Sequence, residues 1–297
     1  MNFQTIAGGF GLLESPRADA RNLWFSDMAL GGVHRLGSDG HIDHWLSDRR
    51  MIGGIAVNED GVLLCSGTGG IVWIDPVSGT TGTLLQAVEG QPISGVNDML
   101  ADPCGGLLFG TVDHARMFRG ENFFGNSALY RLAPDGSVRR LCEGIHFANG
   151  IGLSPDARTI YLNNSGIGTF AYQWLRDGTL GAGRQISDRA DCDGLAVDCE
   201  GAVWIARISA HTILRLMPDG RVDQEIEIPC GAVTSLCFGG PDGCDLYVTT
   251  AAPGAGEAVV KGAVPNERSA AVLRGRALVR GVPMARTRFH LRDAADT

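Results

Sequence analysis

The feature that most constrains this chain is a motif that returns six times: a short alternating apolar segment, a turn of the Asp-Gly or Asn-Glu-Asp-Gly kind, and a strand ending in aromatic or β-branched residues. Residues 52–57 run into Asn58-Glu59-Asp60-Gly61, and residues 96–101 into Asp102-Pro103-Cys104-Gly105. Residues 148–153 lead to Ser154-Pro155-Asp156, and residues 192–197 to Asp198-Cys199-Glu200-Gly201. Further copies begin at Leu13-Glu14-Ser15-Pro16 and at Val233-Thr234-Ser235. Each continues into a period-2 strand, such as residues 159–162 or 202–206, and then a hairpin, with Pro-Asp-Gly turns at 134–136 and 218–220. That makes about four strands per copy. In this register the equivalent positions are Glu14, Gly53, Asn97, Asn149, Asp193 and Thr234, at intervals of 39, 44, 52, 44 and 41 residues. Such a period belongs to propeller blades.

The expected fold is therefore all-β: a six-bladed β-propeller of four-stranded antiparallel blades, one domain spanning residues 1–297. No long apolar stripe of period 3.6 interrupts the strands, so helices should be scarce. The strand around residues 3–6 should join the last blade by pairing with residues 271–279. A β-sandwich of repeated hairpins is the alternative, but it gives no reason for a 40-residue period. Glycine, 43 of 297 residues, is about twice its usual share, as frequent tight turns require.

Charge excludes several partners. Lys+Arg total 25 against 33 Asp+Glu, a formal charge of −8, and no basic run exceeds a pair such as Arg49-Arg50 or Arg139-Arg140. This lacks the footprint that nucleic acid or an anionic membrane demands. No apolar stretch is long enough to span a bilayer and residues 1–13 show no leader pattern, so a cytoplasmic location is expected. The eight cysteines form no C-x-x-C spacing, which reads as reduced thiols, mostly buried, rather than a zinc site. Cys192, beside Asp193, is the one thiol with a possible place in a pocket. Serine-nucleophile and dinucleotide-binding signatures, G-x-S-x-G and G-x-G-x-x-G, are both absent.

The six equivalent positions open the innermost strands, so in a propeller they ring one mouth of the central channel. Taken singly, Asn before Gly is ordinary turn chemistry; their coincidence in register is what points to a site. Glu14, Asn97, Asn149 and Asp193 together offer two carboxylates and two amide oxygens. This hard, all-oxygen set suits one divalent cation, Ca²⁺ first, with Mg²⁺, Mn²⁺, Zn²⁺ or Fe²⁺ as alternatives. Four protein ligands leave positions for water and substrate, as catalytic metal sites do.

At these residues the chain resembles the senescence marker protein, regucalcin and gluconolactonase family of six-bladed propellers. The likeness extends over nearly the whole sequence. It rests on Leu13-Glu14-Ser15-Pro16, Val96-Asn97-Asp98, Asn149-Gly150-Ile151, Asp193-Gly194-Leu195-Ala196-Val197-Asp198, residues 234–240 and Tyr247-Val248-Thr249-Thr250. The resemblance implies that Glu14, Asn97, Asn149 and Asp193 bind one divalent cation and that lactones, often aldonolactones, are hydrolysed there. Two positions depart from the pattern. Gly95 stands where many members carry Arg, and Asn163-Asn164-Ser165 where many carry Asp-Ser.

The longest interval contains an insertion between Thr111 and Ser127 that includes His114, Met117, Phe118, Phe123 and Phe124. A long aromatic loop of this kind is expected to form a lid beside an apolar pocket, or else to pack on a neighbouring blade. Asp98, Thr111, His114 and Phe118 are the candidate substrate contacts, and His146 is read as a loop residue. The expected reaction is lactone opening by a cation that polarises the ester carbonyl and acidifies an attacking water. Asp193 is the candidate catalytic residue, as ligand and proton acceptor, although a cation beside it lowers its basicity. A small-molecule lactone is the expected partner. Two other readings stay open: a metal-dependent phosphoester or phosphofluoridate hydrolase, and a calcium-holding propeller without turnover.

Overall fold

A computed structural model describes residues 1–291; residues 292–297, the end of the expected 1–297 span, lie outside the described residues. Six antiparallel meanders radiate from a channel. Their innermost strands are Leu13–Ala18, Ile55–Val57, Gly95–Ala101, Ala148–Leu153, Cys192–Val197 and Ala232–Gly239, for blades 1 to 6 in turn. Each blade adds three further strands outward, giving the six-bladed propeller that the repeat predicts. Inner strands are packed on both faces and read as near-continuous apolar runs; Ala148–Leu153 is buried throughout. Outer strands such as Val222–Glu227 are largely exposed and carry Asp223, Glu225 and Glu227, charges that keep an edge from pairing with other chains.

The turn motif explains why the repeat is visible. Asp102 Oδ1 accepts from the Cys104 and Gly106 amides at 2.6 and 3.0 Å, and Asp198 Oδ1 from Glu200 and Ala202, both at 3.0 Å. Gly61, Gly105 and Gly201 then take φ of 87°, 84° and 85°, a left-handed conformation that costs glycine little. In blade 4 the same place is held by Ala157, at φ 54°. Asp198 does more than shape its turn, for its second oxygen accepts from Trp204 Nε1 at 2.8 Å and Arg215 Nε at 2.9 Å.

Strands from early and late in the sequence build blade 6 together. Gln4–Phe10 is its outermost strand, paired with Ala270–Arg276 in the register Gln4↔Arg274 to Phe10↔Ala270, as expected from the sequence. The segment that follows crosses the far mouth of the channel. It leaves blade 5, where Cys199 N bonds Arg280 O and Val282 N bonds Val197 O, both at 2.9 Å. It ends on blades 2 and 3, where Thr287 N bonds Val57 O at 3.0 Å and Arg288 N bonds Gly105 O at 2.8 Å. Between these anchors Val282, Pro283 and Met284 help line a mostly apolar cavity of about 320 Å³ with the ends of the inner strands.

Two short helices are present among the described residues, His114–Phe118 and Ala255–Val260, so the expected scarcity holds. No helix is long and apolar enough to cross a membrane. All eight cysteines are free thiols; Cys65, Cys192 and Cys237 are buried, whereas Cys104 and Cys199 are exposed. The expectation that most are buried therefore fails. The exposed pair sits in the very turns that punctuate the repeat, where the pattern demands a small residue and no packing.

Candidate active site

Where the ring residues stand, the inner strands do not run smoothly. The register to the second strand slips between Glu14 and Arg17, Val96 and Met99, Ala148 and Ile151, Cys192 and Leu195, and Val233 and Ser235. A β-bulge re-aims a side chain out of the pleat, and here five blades do so at the same level. The Gly after a ring residue serves this arrangement rather than a hairpin turn. A Cβ on Gly150 would lie 2.5 Å from Leu195 N and 2.7 Å from Asp193 O, so glycine lets neighbouring inner strands meet backbone to backbone. Blade 1 uses Ser15 instead, at φ 48°, and its hydroxyl accepts from Ile55 N at 2.7 Å.

Glu14, Asn97, Asn149 and Asp193 are brought together at one mouth, each buried to within 5–8% of full cover. Asn97 Nδ2 donates to Ala148 O at 3.0 Å and to Asn149 Oδ1 at 3.3 Å. Asn149 Nδ2 donates to Asp193 Oδ1 at 2.5 Å and to Ser165 Oγ at 3.2 Å. Both amides thus turn their N–H groups to protein acceptors, and Asn97 Oδ1 accepts no hydrogen bond among the described residues. Gly53 lacks a side chain for a physical reason: its Cβ would lie 2.6 Å from Asn97 Oδ1 and 2.9 Å from Met28 Cε. Thr234 is turned to scaffolding, donating to Leu13 O at 2.6 Å.

The carboxylates are in tension. Burial, then the negative charges of Asp193 and Asp98, push Glu14 well above the usual carboxylate range. Burial and Asp98 push Asp193 up to about 8, against the Asn149 hydrogen bond. Asp98 is itself raised by burial, opposed chiefly by Arg17. Arg17 Nη2 lies 3.2 Å from Asp98 Oδ1 and donates to Met99 O at 2.7 Å, so that guanidinium pairs with Asp98 and only weakly offsets the rise of Glu14; among the described residues neither Glu14 nor Asp193 forms an ion pair.

Among the described residues no three His, Cys, Asp or Glu are grouped as a metal cluster. The candidate set differs in kind, being two acids and two amides, with Asn149 Oδ1 accepting from Asn97 at 3.3 Å and Asn97 Oδ1 accepting no hydrogen bond among the described residues. Such donors fit a hard divalent cation, whose charge would balance Glu14 and Asp193.

The other expected contacts divide. Asp98 lies with the ring acids, close enough to raise both of them. Thr111 does not reach the ring: its hydroxyl donates to Ala128 O at 3.3 Å and accepts from Ala128 N at 3.1 Å, inside its own blade. His114 is buried, its Nδ1 3.0 Å from Thr68 Oγ1. Phe118 is exposed on the rim, its ring centroid 5.7 Å from that of His114. It borders a cavity of about 980 Å³ lined by Arg49, Arg50, Met51, Thr68 and Gly262. His146 stacks on Phe124 at 4.7 Å, a loop contact as expected. The Cys192 thiol is buried and pushed up to about 12, mainly by burial, which makes it an unreactive core group.

Sequence reasoning missed the supports. Asn163 Nδ2 donates to Asp193 O at 2.6 Å, and Ser165 Oγ donates to Cys192 O at 2.5 Å while accepting from Asn149. These residues hold two ring members from the next strand. Their signal lay in polar Asn163-Asn164-Ser165 ending a strand whose preceding residues, Ile160, Tyr161 and Leu162, are buried and apolar. Arg17, three residues after Glu14, was also overlooked.

Comparison with known proteins accords with this geometry. The model of the SMP-30/Gluconolactonase/LRE-like region matches residues 12–252. Regucalcin of Danio rerio is 33% identical over 177 residues, covering 57% of this chain and 58% of that protein. Pentonolactonase of Haloferax volcanii is 28% identical over 240 residues, 78% of each chain. Among solved structures, a luciferin-regenerating enzyme superposes with a TM-score of 0.81 at 22% identity, over 97% of this chain and 99% of that one; at that identity the likeness is one of fold.

Proposed function

Because the chain belongs to the SMP-30/Gluconolactonase/LRE-like family, we propose that it is a divalent-metal-dependent lactonase, opening a cyclic ester at the channel mouth ringed by Glu14, Asn97, Asn149 and Asp193. The observation that carries this reading is the grouping of two buried, mutually repelling acids with two amides at the same mouth. A relative named pentonolactonase, aligned over 78% of the chain, supports the reaction type.

Glu14 and Asp193 would supply the charge that holds the cation, and Asn97 and Asn149 would supply neutral oxygens. When bound, a divalent ion supplies Lewis acidity, drawing electron density from the ester carbonyl and lowering the pKa of water. The chain's own residues do the rest. Asn149 and Asn163 fix Asp193 by its side chain and its backbone, so its second carboxylate oxygen is positioned to accept the proton of the attacking water. Ser165 orients Asn149. Arg17 confines Asp98 to a pair, keeping a third free acid from the centre. Burial excludes bulk water, which strengthens each of these interactions.

Proton release from a panel of lactones tests the proposal, comparing calcium-loaded with chelated protein. Chelator-sensitive hydrolysis that disappears in Asp193→Ala is the expected result. Undiminished turnover in that variant would remove Asp193 from the mechanism. Metal-driven stabilisation without any turnover would instead favour a calcium-holding protein, and activity confined to phosphoesters the phosphoester hydrolase.

A further inference from the structure

We infer, resting on the lactonase reading, that the substrate is an uncharged lactone bearing an alkyl or aryl substituent, selected by an apolar cover over the four-oxygen ring. Two flaps make the cover. One is the 113–126 insertion with helix His114–Phe118; the other is the 252–264 segment with helix Ala255–Val260. Met117 and Phe123 of the first flap, Ala255 and Val259 of the second, and Met28 and Met51 between them belong to one continuous apolar cluster. Phe147 packs against it. The flaps meet where Phe118 Cδ1 lies 3.9 Å from the Cβ position of Gly262. Arg50 clasps the second flap through Gly262 O at 2.9 Å and through Ala263 O. Met28 carries the apolar surface down to the ring itself, its Cε being 2.9 Å from the point where a Gly53 Cβ would stand.

The polar groups nearby are already engaged. Arg17 pairs with Asp98, and Arg49 spends Nε and Nη2 on Ser66 O at 3.2 Å and Gly70 O at 3.1 Å, so both guanidiniums are held against the protein. A side chain at Gly95 would strike the His114 ring, with Cε1 and Cγ each 2.6 Å from its Cβ. His114, with Nδ1 tied to Thr68, therefore occupies the space a longer polar or cationic residue would need. The hydroxyls of Ser165 and Thr234 both bond protein partners, which leaves fewer hydrogen-bonding groups to read a polyhydroxylated substrate. A buried hydroxyl without a partner is costly, whereas an alkyl chain under Met117 and Phe123 gains from leaving water.

The test is kcat/KM of the calcium-loaded protein on δ-lactones of growing alkyl chain, from δ-valerolactone to δ-decalactone, beside D-glucono-1,5-lactone. Values should climb about two- to fourfold per methylene over the first carbons and exceed the sugar lactone by about 100-fold; Phe123→Ser should flatten the climb. A flat series, or gluconolactone at least as good, overturns the inference while leaving lactone hydrolysis in place. If nothing is hydrolysed, the lactonase reading falls, and calorimetry with the matching alkyl δ-lactams decides the cover separately. Affinity rising with chain length upholds apolar selection; no binding, or no dependence on chain length, refutes it.

Discussion

Replacing Asp193 with Asn should make the cation-free protein more stable and, in the same stroke, deaf to calcium. The Asp193 carboxyl is pushed from 3.8 to about 8 by burial and by Asp98. An acid with a raised native pKa holds more protons folded than unfolded between those values, so stability falls as pH rises through about 4 to 8. At about 1.4 kcal/mol per pH unit, the penalty accumulated by pH 7 is about 4 kcal/mol. Asn keeps an oxygen to accept from Asn149 Nδ2 and carries no charge to repel Glu14. In chelator at pH 7 the variant should therefore unfold at higher urea by roughly that free energy, with the difference vanishing near pH 4. With calcium at about 100 times its Kd, wild type should gain about 2.7 kcal/mol and the variant almost nothing. A variant less stable than wild type in chelator at pH 7, or a gap independent of pH, would refute the reasoning.

Other perturbations test other parts of the molecule. Asp198→Ala removes the fully buried one of the three carboxylates on Arg215, leaving Glu200 and Asp223 each at 2.6 Å, and takes the acceptor from Trp204 Nε1; it should cost about 2 to 3 kcal/mol in urea unfolding. Ala157→Gly relieves the positive φ that the equivalent glycines of the other blades accept, and should stabilise by about 0.5 to 1 kcal/mol, read as a rise in Tm. His114 is lowered to about 4, chiefly by burial. Its contribution is therefore fully present above about pH 6.5 and lost as pH falls toward 4, at most about 3 kcal/mol. The stability difference between wild type and His114→Gln, followed by urea melts from pH 7.5 to 4.5, should shrink by that amount.

How far the sequence could be read depended on whether a residue's role repeats. Blade number and register were legible because Asp102, Asp198 and the glycines three residues on solve one local problem in several blades. The four ring residues stood out because they share a position, not because any of them is rare. The closing of blade 6 followed from the leftover strands at the two chain ends. What escaped was held by contacts between blades. Arg17 reaching Asp98, and Asn163 reaching the backbone of Asp193, join residues that no local spacing relates. Asn149-Gly150 invites a turn reading, yet its glycine answers to Leu195 in another blade. The insertion stood out by its Phe and Met content, and Met117 and Phe123 are indeed buried in an apolar cluster, but Thr111 was grouped with it although its hydroxyl bonds the neighbouring strand.

The strand Gln4–Phe10 can find its partner, Ala270–Arg276, only after the residues between them have left the ribosome. Until then the strand's backbone groups lack their partner, which exposes them to pairing with other nascent chains. Folding should accordingly end on a slow, long-range step. A protein cut short before residue 270 would keep all four ring oxygens in its sequence and lack the joint that closes them into a circle.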